Sequence, residues 1–178
     1  MRALVVYESL YGNTHAIADA IAVGLQPVME VEVVAVAGAT AEKVAGADLL
    51  VVGGPTHVHG MTSGTSRSNG IEMAAKDPKL PPLDADATGP GLREWFHDLP
   101  EGQDGAAAAF DTRFDASMLL TGAASHGIAK RLRKHGFRMV SEPESFLVDK
   151  ATHLLPDEAA KATRWGAALA ESVASAAR

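Results

Sequence analysis

Short apolar runs alternate with stretches of helical period along most of this chain. Ala3 to Tyr7 is apolar and ends at Glu8-Ser9, which predicts a strand buried on both faces. Ile17, Ile21 and Leu25 then recur every fourth residue, with Ala20 and Gly24 beside them, so residues 14–25 read as a helix with one apolar face. Pro27 ends it, because the residue before a proline avoids helical angles. Val31 to Val36 predicts a second strand, and Thr40 to Ala45 a short helix opening on a threonine cap. Asp48 to Gly53 predicts a third strand, closed by Gly53-Gly54-Pro55. Strand, helix, strand, helix, strand is the order of a parallel sheet with right-handed crossovers.

The rhythm breaks over residues 61–90. Met61 to Gly70 is polar and small, Ile71 to Lys76 predicts one or two helical turns, and Lys79 to Pro90 is irregular. The expectation is one domain over residues 1–178 with a long irregular loop at about 61–90. Its Thr62, Ser66 and Arg67 either cap a pocket or belong to a disordered flap. Periodicity resumes with Leu92, Trp95, Phe96 and Leu99, a helix over about 91–99. Ala106 to Asp111 is a fourth strand, and a helix over about 123–135 carries Ile128 and Leu132 and stops at Gly136 as a left-handed cap. Phe137 to Val140 and Phe146 to Val148 form a fifth strand interrupted near Pro143. The last helix spans 157–177, with Asp157 and Glu158 at its positive end and Trp165, Leu169 and Val173 keeping the period.

Composition narrows the chemistry. Alanine occurs 33 times and aromatic residues only nine times, so the core is built from Val, Leu, Ile and Ala, with helices packed closely on a flat layer. The chain has no cysteine, which excludes disulfides, thiolate catalysis and Cys-based zinc or iron–sulfur sites. A formal charge of −6 disfavours nucleic acid as a partner. No apolar run approaches the roughly 20 residues of a membrane span. The N-terminus lacks a signal-peptide layout, so the expected location is the cytoplasm. The one basic cluster, Lys130 to His135 with Arg138, alternates with Ile128 and Leu132 and reads mainly as a solvated helix face. Docking of an acidic redox partner protein is its other reading.

Two loops carry candidate chemistry. Ser9-Leu10-Tyr11-Gly12-Asn13-Thr14 lies between the first strand and the first helix, where free backbone N–H groups and the helix dipole favour an anion. Ser9, Asn13 and Thr14 add side-chain donors, Gly12 permits close approach, and the loop holds no Lys or Arg. Neutral donors suit a phosphate monoester; the lysine of a nucleotide-triphosphate loop is absent. An ordinary capped turn is the alternative on these six residues alone. The second loop, Pro55-Thr56-His57-Val58-His59-Gly60, follows the third strand. In a sheet of order 2-1-3-4-5 the order reverses between strands one and three, so both loops open on one crevice. His57 and His59 are either surface polar residues or ligand contacts, and no third ligand nearby completes a metal site.

With these residues the chain resembles the flavodoxin-like flavoproteins. Ser9 to Thr14 looks like their Ser/Thr-x-x-Gly-Asn-Thr phosphate loop, with Tyr11 at the position where flavo-diiron and quinone-reductase branches carry it. Gly54-Pro55-Thr56 followed by Gly60-Met61 is similar to the flavin-ring loop of the quinone-reductase branch. The resemblance implies a flavodoxin-like five-stranded parallel sheet with helices on both faces. It implies FMN as cofactor, with the phosphate on residues 9–14 and the ring between the loops starting near 55 and 111. The second of these, Asp111-Thr112-Arg113-Phe114, offers Phe114 where many electron-transfer flavodoxins place a tyrosine, and Arg113 either meets the flavin's pyrimidine edge or pairs with Asp111 or Asp115. The implied function is electron transfer to a partner protein, or NAD(P)H-linked reduction of a small acceptor such as a quinone. A flavodoxin-like binding or scaffold domain without flavin is the alternative.

Overall fold

A computed structural model describes residues 1–57 and 59–176. The strands are β1 (Arg2–Tyr7), β2 (Glu30–Ala35), β3 (Leu49–His57), β4 (Gly60–Met61), β5 (Ala106–Phe114), β6 (Arg138–Met139) and β7 (Glu144–Val148). The helices are α1 (Asn13–Leu25), α2 (Ala41–Ala45), α3 (Gly64–Lys76), α4 (Leu92–Asp98), α5 (Met118–Thr121), α6 (Ala124–Lys134) and α7 (Glu158–Ala176). The main strands run parallel in the order β2-β1-β3-β5, and β6 and β7 both continue the sheet from β5. With β6 and β7 as halves of one interrupted strand, this is the expected 2-1-3-4-5 order. The short β4 folds back antiparallel on the end of β3.

Residues of successive strands alternate between two cores. Leu4, Val6, Leu50, Val52, Ala107 and Ala109 face Trp95 and Phe96 of α4 and Ile128 and Leu132 of α6. Ala3, Val5, Val51, Ala106, Ala108 and Phe110 face Ile17 and Ile21 of α1 and Leu169 and Val173 of α7. Each such Leu, Ile or Phe contributes about 1.5–3 kcal/mol when fully withdrawn from water. The alanine run of β5 lets helices approach on both sides. On the second face α1 and α7 touch backbone to backbone: a Cβ at Gly24 would lie 2.0 Å from the Thr163 carbonyl oxygen, and one at Gly166 would lie 2.3 Å from that of Ile21. Phe110, Phe146 and Trp165 fill the remaining space edge to face.

The irregular loop expected at about 61–90 is where the structure departs most from the sequence reading. Residues 64–76 form a full helix, α3, rather than one or two turns from Ile71. Ser63 and Ser66 close its N-terminus with a reciprocal capping box. Only Gly70 of this helix is buried, so no apolar stripe announced it. Thr62, Ser66 and Arg67 brace this segment: Ser66 serves the cap, Thr62 is buried, and Arg67 donates to the Gly89 carbonyl at 2.7 Å and pairs with Glu94 at 3.3 Å. Both β3 and β5 also run further than expected, because their pairing continues through Gly54↔Asp111 and Pro55↔Thr112. Among the described residues no helix is long and apolar enough to cross a membrane.

Candidate functional site

The carboxyl ends of β1, β3, β5 and β7 meet at one end of the sheet, where the strand order reverses. A crevice opens there between Ser9, Leu10, Tyr11, Asn13 and Thr14 on one side and Pro55, Thr56, His57, Thr112, Arg113 and Phe114 on the other. Val148 and Thr152, from β7 and the turn after it, complete the wall.

The first loop is shaped by its own bonds. Gly12 takes the left-handed conformation, φ 81°, as the N-cap of α1, a geometry that costs a residue with a side chain about 1–2 kcal/mol. No side chain caps the helix, so its first N–H groups face the crevice end of the sheet uncovered. The Gly12 N–H donates to Ser9 Oγ at 3.1 Å, which folds the loop and leaves the serine hydroxyl hydrogen unused. Thr14 Oγ1 and Thr112 Oγ1 share a buried hydrogen bond of 2.8 Å, so β5 is tied to the first turn of α1. Asn13 Nδ2 donates to the Thr152 carbonyl at 2.7 Å, a bond 139 residues apart in sequence. The Tyr11 hydroxyl donates to the Gly70 carbonyl of α3 at 2.9 Å, and Leu10 is buried.

The second loop splits. Thr56 Oγ1 accepts from the Ala124 N–H at the start of α6, at 2.9 Å. His57 lines the crevice, and burial lowers its pKa below the ordinary histidine value, which keeps the imidazole neutral at pH 7. His59 is exposed with φ 68° and bridges Gly122, so the loops after β3 and β5 touch at that point. Gly60 belongs to β4, away from the crevice wall, and Val58 lies outside the described residues.

The third loop also divides. Asp111 is fully buried on the α6 side of the sheet rather than in the crevice; its Oδ2 accepts the Ser125 N–H at 2.7 Å and its Oδ1 has no partner. Burial raises its pKa above the usual carboxylate range, and the Ser125 N–H opposes that shift. Arg113 makes no ion pair with Asp111 or Asp115 among the described contacts. Its Nη1 donates to the carbonyls of Phe114 and Ala116, at 3.3 and 2.8 Å, and to Thr121 Oγ1 at 3.4 Å. The guanidinium therefore holds the turn from β5 to α5 in shape. Phe114 is half exposed at the mouth of the crevice. No group of His, Asp and Glu among the described residues has metal-site geometry.

Sequence reasoning missed Val148, Thr152 and the Thr14–Thr112 link, because each depends on which strands become neighbours. On α6, Arg131 lies over Phe96 while Lys130, Arg133 and Lys134 are exposed, the solvated face expected.

No family model matches the chain, and no curated protein sequence matches it. Solved structures do. A flavodoxin from the domain Archaea is similar over 98% of this chain and 99% of its own, at 22% identity and a TM-score of 0.65. A WrbA-like flavodoxin protein from Agrobacterium tumefaciens is similar over 98% of each chain, at 18% identity and a TM-score of 0.61. The flavodiiron protein from Giardia intestinalis matches over 98% of this chain and 36% of its own, at 18% identity and a TM-score of 0.61. Sheet order, helix placement and these likenesses together establish that the chain has the flavodoxin-like α/β fold.

Proposed function

We propose that this chain is an FMN-binding redox protein whose phosphate loop is Ser9–Thr14. The observation that carries the reading is the uncapped N-terminus of α1, entered through a left-handed Gly12 and opening on the crevice at the switch point of the sheet. Ser9, the Thr14–Thr112 pair and the first N–H groups of α1 are neutral donors, and residues 9–14 carry no cation. That donor set fits a phosphate monoester.

The crevice has a volume of about 90 Å³, below the roughly 300 Å³ of a pocket that swallows a whole small ligand. If FMN binds there, Ser9, Thr14 and Thr112 would hold its phosphate, and His57 and Phe114, which line the same crevice, would meet its ring system. FMN, when bound, supplies one- and two-electron transfer. The protein's part is to bind and orient: Arg113 fixes the turn that presents Phe114, and neutral His57 offers a ring nitrogen without adding charge. Flavodoxins and a WrbA-like protein among the similar structures support the redox reading.

Reconstitution tests it. The purified chain, incubated with FMN and desalted, should retain one flavin and absorb in the blue. NAD(P)H oxidation with a quinone acceptor and no partner protein then distinguishes a reductase from a carrier. A chain that stays colourless after reconstitution contradicts the reading and favours a domain without flavin.

A further inference from the structure

The turn after β5 carries an apolar knob beside an apolar hollow. Eight large apolar side chains are exposed among the described residues, and four of them, Phe114, Met118, Leu119 and Leu120, fall within residues 114–120. Single exposed apolar residues are ordinary on a protein surface, whereas a contiguous group marks a contact. The knob is held in shape: Arg113 Nη1 donates to the Ala116 carbonyl at 2.8 Å, and the Gly122 N–H donates to the Met118 carbonyl at 2.8 Å. Docking therefore has little loop ordering to offset. The hollow has a volume of about 530 Å³ and is lined by Phe114, Ala116, Thr121, Val148 and Leu155. Ala116 and Thr121 bracket the leucines in sequence, so knob and hollow share one face. Leu119 is 93% and Leu120 73% exposed, so this copy's leucines do not fill its own hollow. A missing leucine side chain leaves a cavity of roughly 150 Å³, so the hollow has room for two.

Charge selects the occupant. Residues 116–125 carry no charge in a chain of formal charge −6, so a second acidic copy can approach here without repulsion. Asp115 and Lys150 stand exposed on the rim of the hollow, and neither has an ion-pair partner among the described residues. Asp149, the third charge there, already accepts the N–H groups of Ala151 and His153. A two-fold axis crosses the two free signs, setting Lys150 of each copy opposite Asp115 of the other. A partner of a single sign would meet its own sign at one of them.

We propose that a second copy of this chain docks on this face through a two-fold contact, each Leu119–Leu120 knob filling the other copy's hollow and each Lys150 meeting the other copy's Asp115. Phe114 and Val148 line both the hollow and the crevice, so the second copy closes on the crevice mouth. Association needs no flavin and is measured on the chain alone, so its failure leaves the FMN reading standing.

Sedimentation velocity of the purified chain over a concentration series tests it. Wild type should pass from monomer to dimer as concentration rises and stop there. Leu119→Ser with Leu120→Ser should raise the dimer dissociation constant at least about tenfold. Circular dichroism and Tm should stay as in wild type, since both side chains are exposed. Asp115→Lys and Lys150→Asp should each weaken the dimer at least about threefold, and the two together should restore it, a recovery that structural damage does not produce. Wild type that stays monomeric overturns the proposal and leaves this face to a different protein. Leucine variants that dimerise like wild type overturn it, as does a paired charge swap no better than either single one, or an assembly that grows past the dimer.

Discussion

Replacing Thr14 by valine removes one hydroxyl from a pair that is buried on both sides, Thr14 being 1% and Thr112 5% exposed. The two oxygens are 2.8 Å apart, and one hydrogen lies between them. In Thr14→Val the Thr112 hydroxyl loses its protein partner, which costs about 1–3 kcal/mol of stability. For a chain of this length that lowers Tm by about 2–12 °C. Thr14→Val with Thr112→Val removes both partners at nearly constant shape, so most of that loss should be recovered. Cofactor binding behaves differently. If Thr112 donates within the pair and Thr14 offers its own hydrogen to the phosphate, both variants lose a bond to a charged group worth about 1.5–3 kcal/mol. FMN affinity should then fall about ten- to hundredfold in the single and the double variant alike. Thermal unfolding by circular dichroism and fluorescence titration with FMN separate the two effects. A double variant that binds FMN like wild type refutes the role of the pair at the phosphate. A double variant no more stable than Thr14→Val refutes the hydrogen-bond argument.

Other expectations follow from single contacts. Gly12→Ala should cost about 1–2 kcal/mol, from its φ of 81°, and weaken FMN with little change in the circular dichroism spectrum. Gly166→Ala drives a methyl into the Ile21 carbonyl and should destabilise by more than about 3 kcal/mol, read as a fall in the denaturant midpoint, since backbone on both sides must move apart. Arg113→Gln should speed amide hydrogen exchange over residues 115–122, because three acceptors lose the guanidinium. The folded-state pKa of Asp111 is raised, so wild type loses stability as pH rises above about 4, the unfolded carboxyl value. Asp111→Asn should accordingly be more stable than wild type at pH 8 and lose that advantage toward pH 4, as urea unfolding at both pH values would show.

Elements with an apolar period were legible because burial itself writes the pattern: β1, α1, β5, α6 and α7 stand where their Val, Leu, Ile and Ala positions put them. Helix α3 was not legible, since it buries only Gly70 and its sequence is rich in Gly, Ser, Thr and Asn. Its local signal was the Ser63–Ser66 spacing, a capping box closed by serine in place of the usual Glu or Gln. The loop over residues 9–14 was legible as a turn without cations before an amphipathic helix. What surrounds it was not. Asp84 reaches Leu10 and His15, Thr152 reaches Asn13, and Thr112 reaches Thr14 only through the tertiary path of the chain. Asp111 shows the converse: it sits beside Thr112 in sequence, yet strand alternation turns it to the opposite face of the sheet, away from the crevice.

The claim that neutral donors at the α1 N-terminus hold a phosphate monoester is tested most directly by calorimetric titration of the purified chain with FMN and with riboflavin under identical conditions. The titration should give one FMN per chain and an affinity for FMN at least about tenfold above that for riboflavin, the loss expected when charged hydrogen bonds are absent. Equal affinities for the two, or heat from neither, would contradict it.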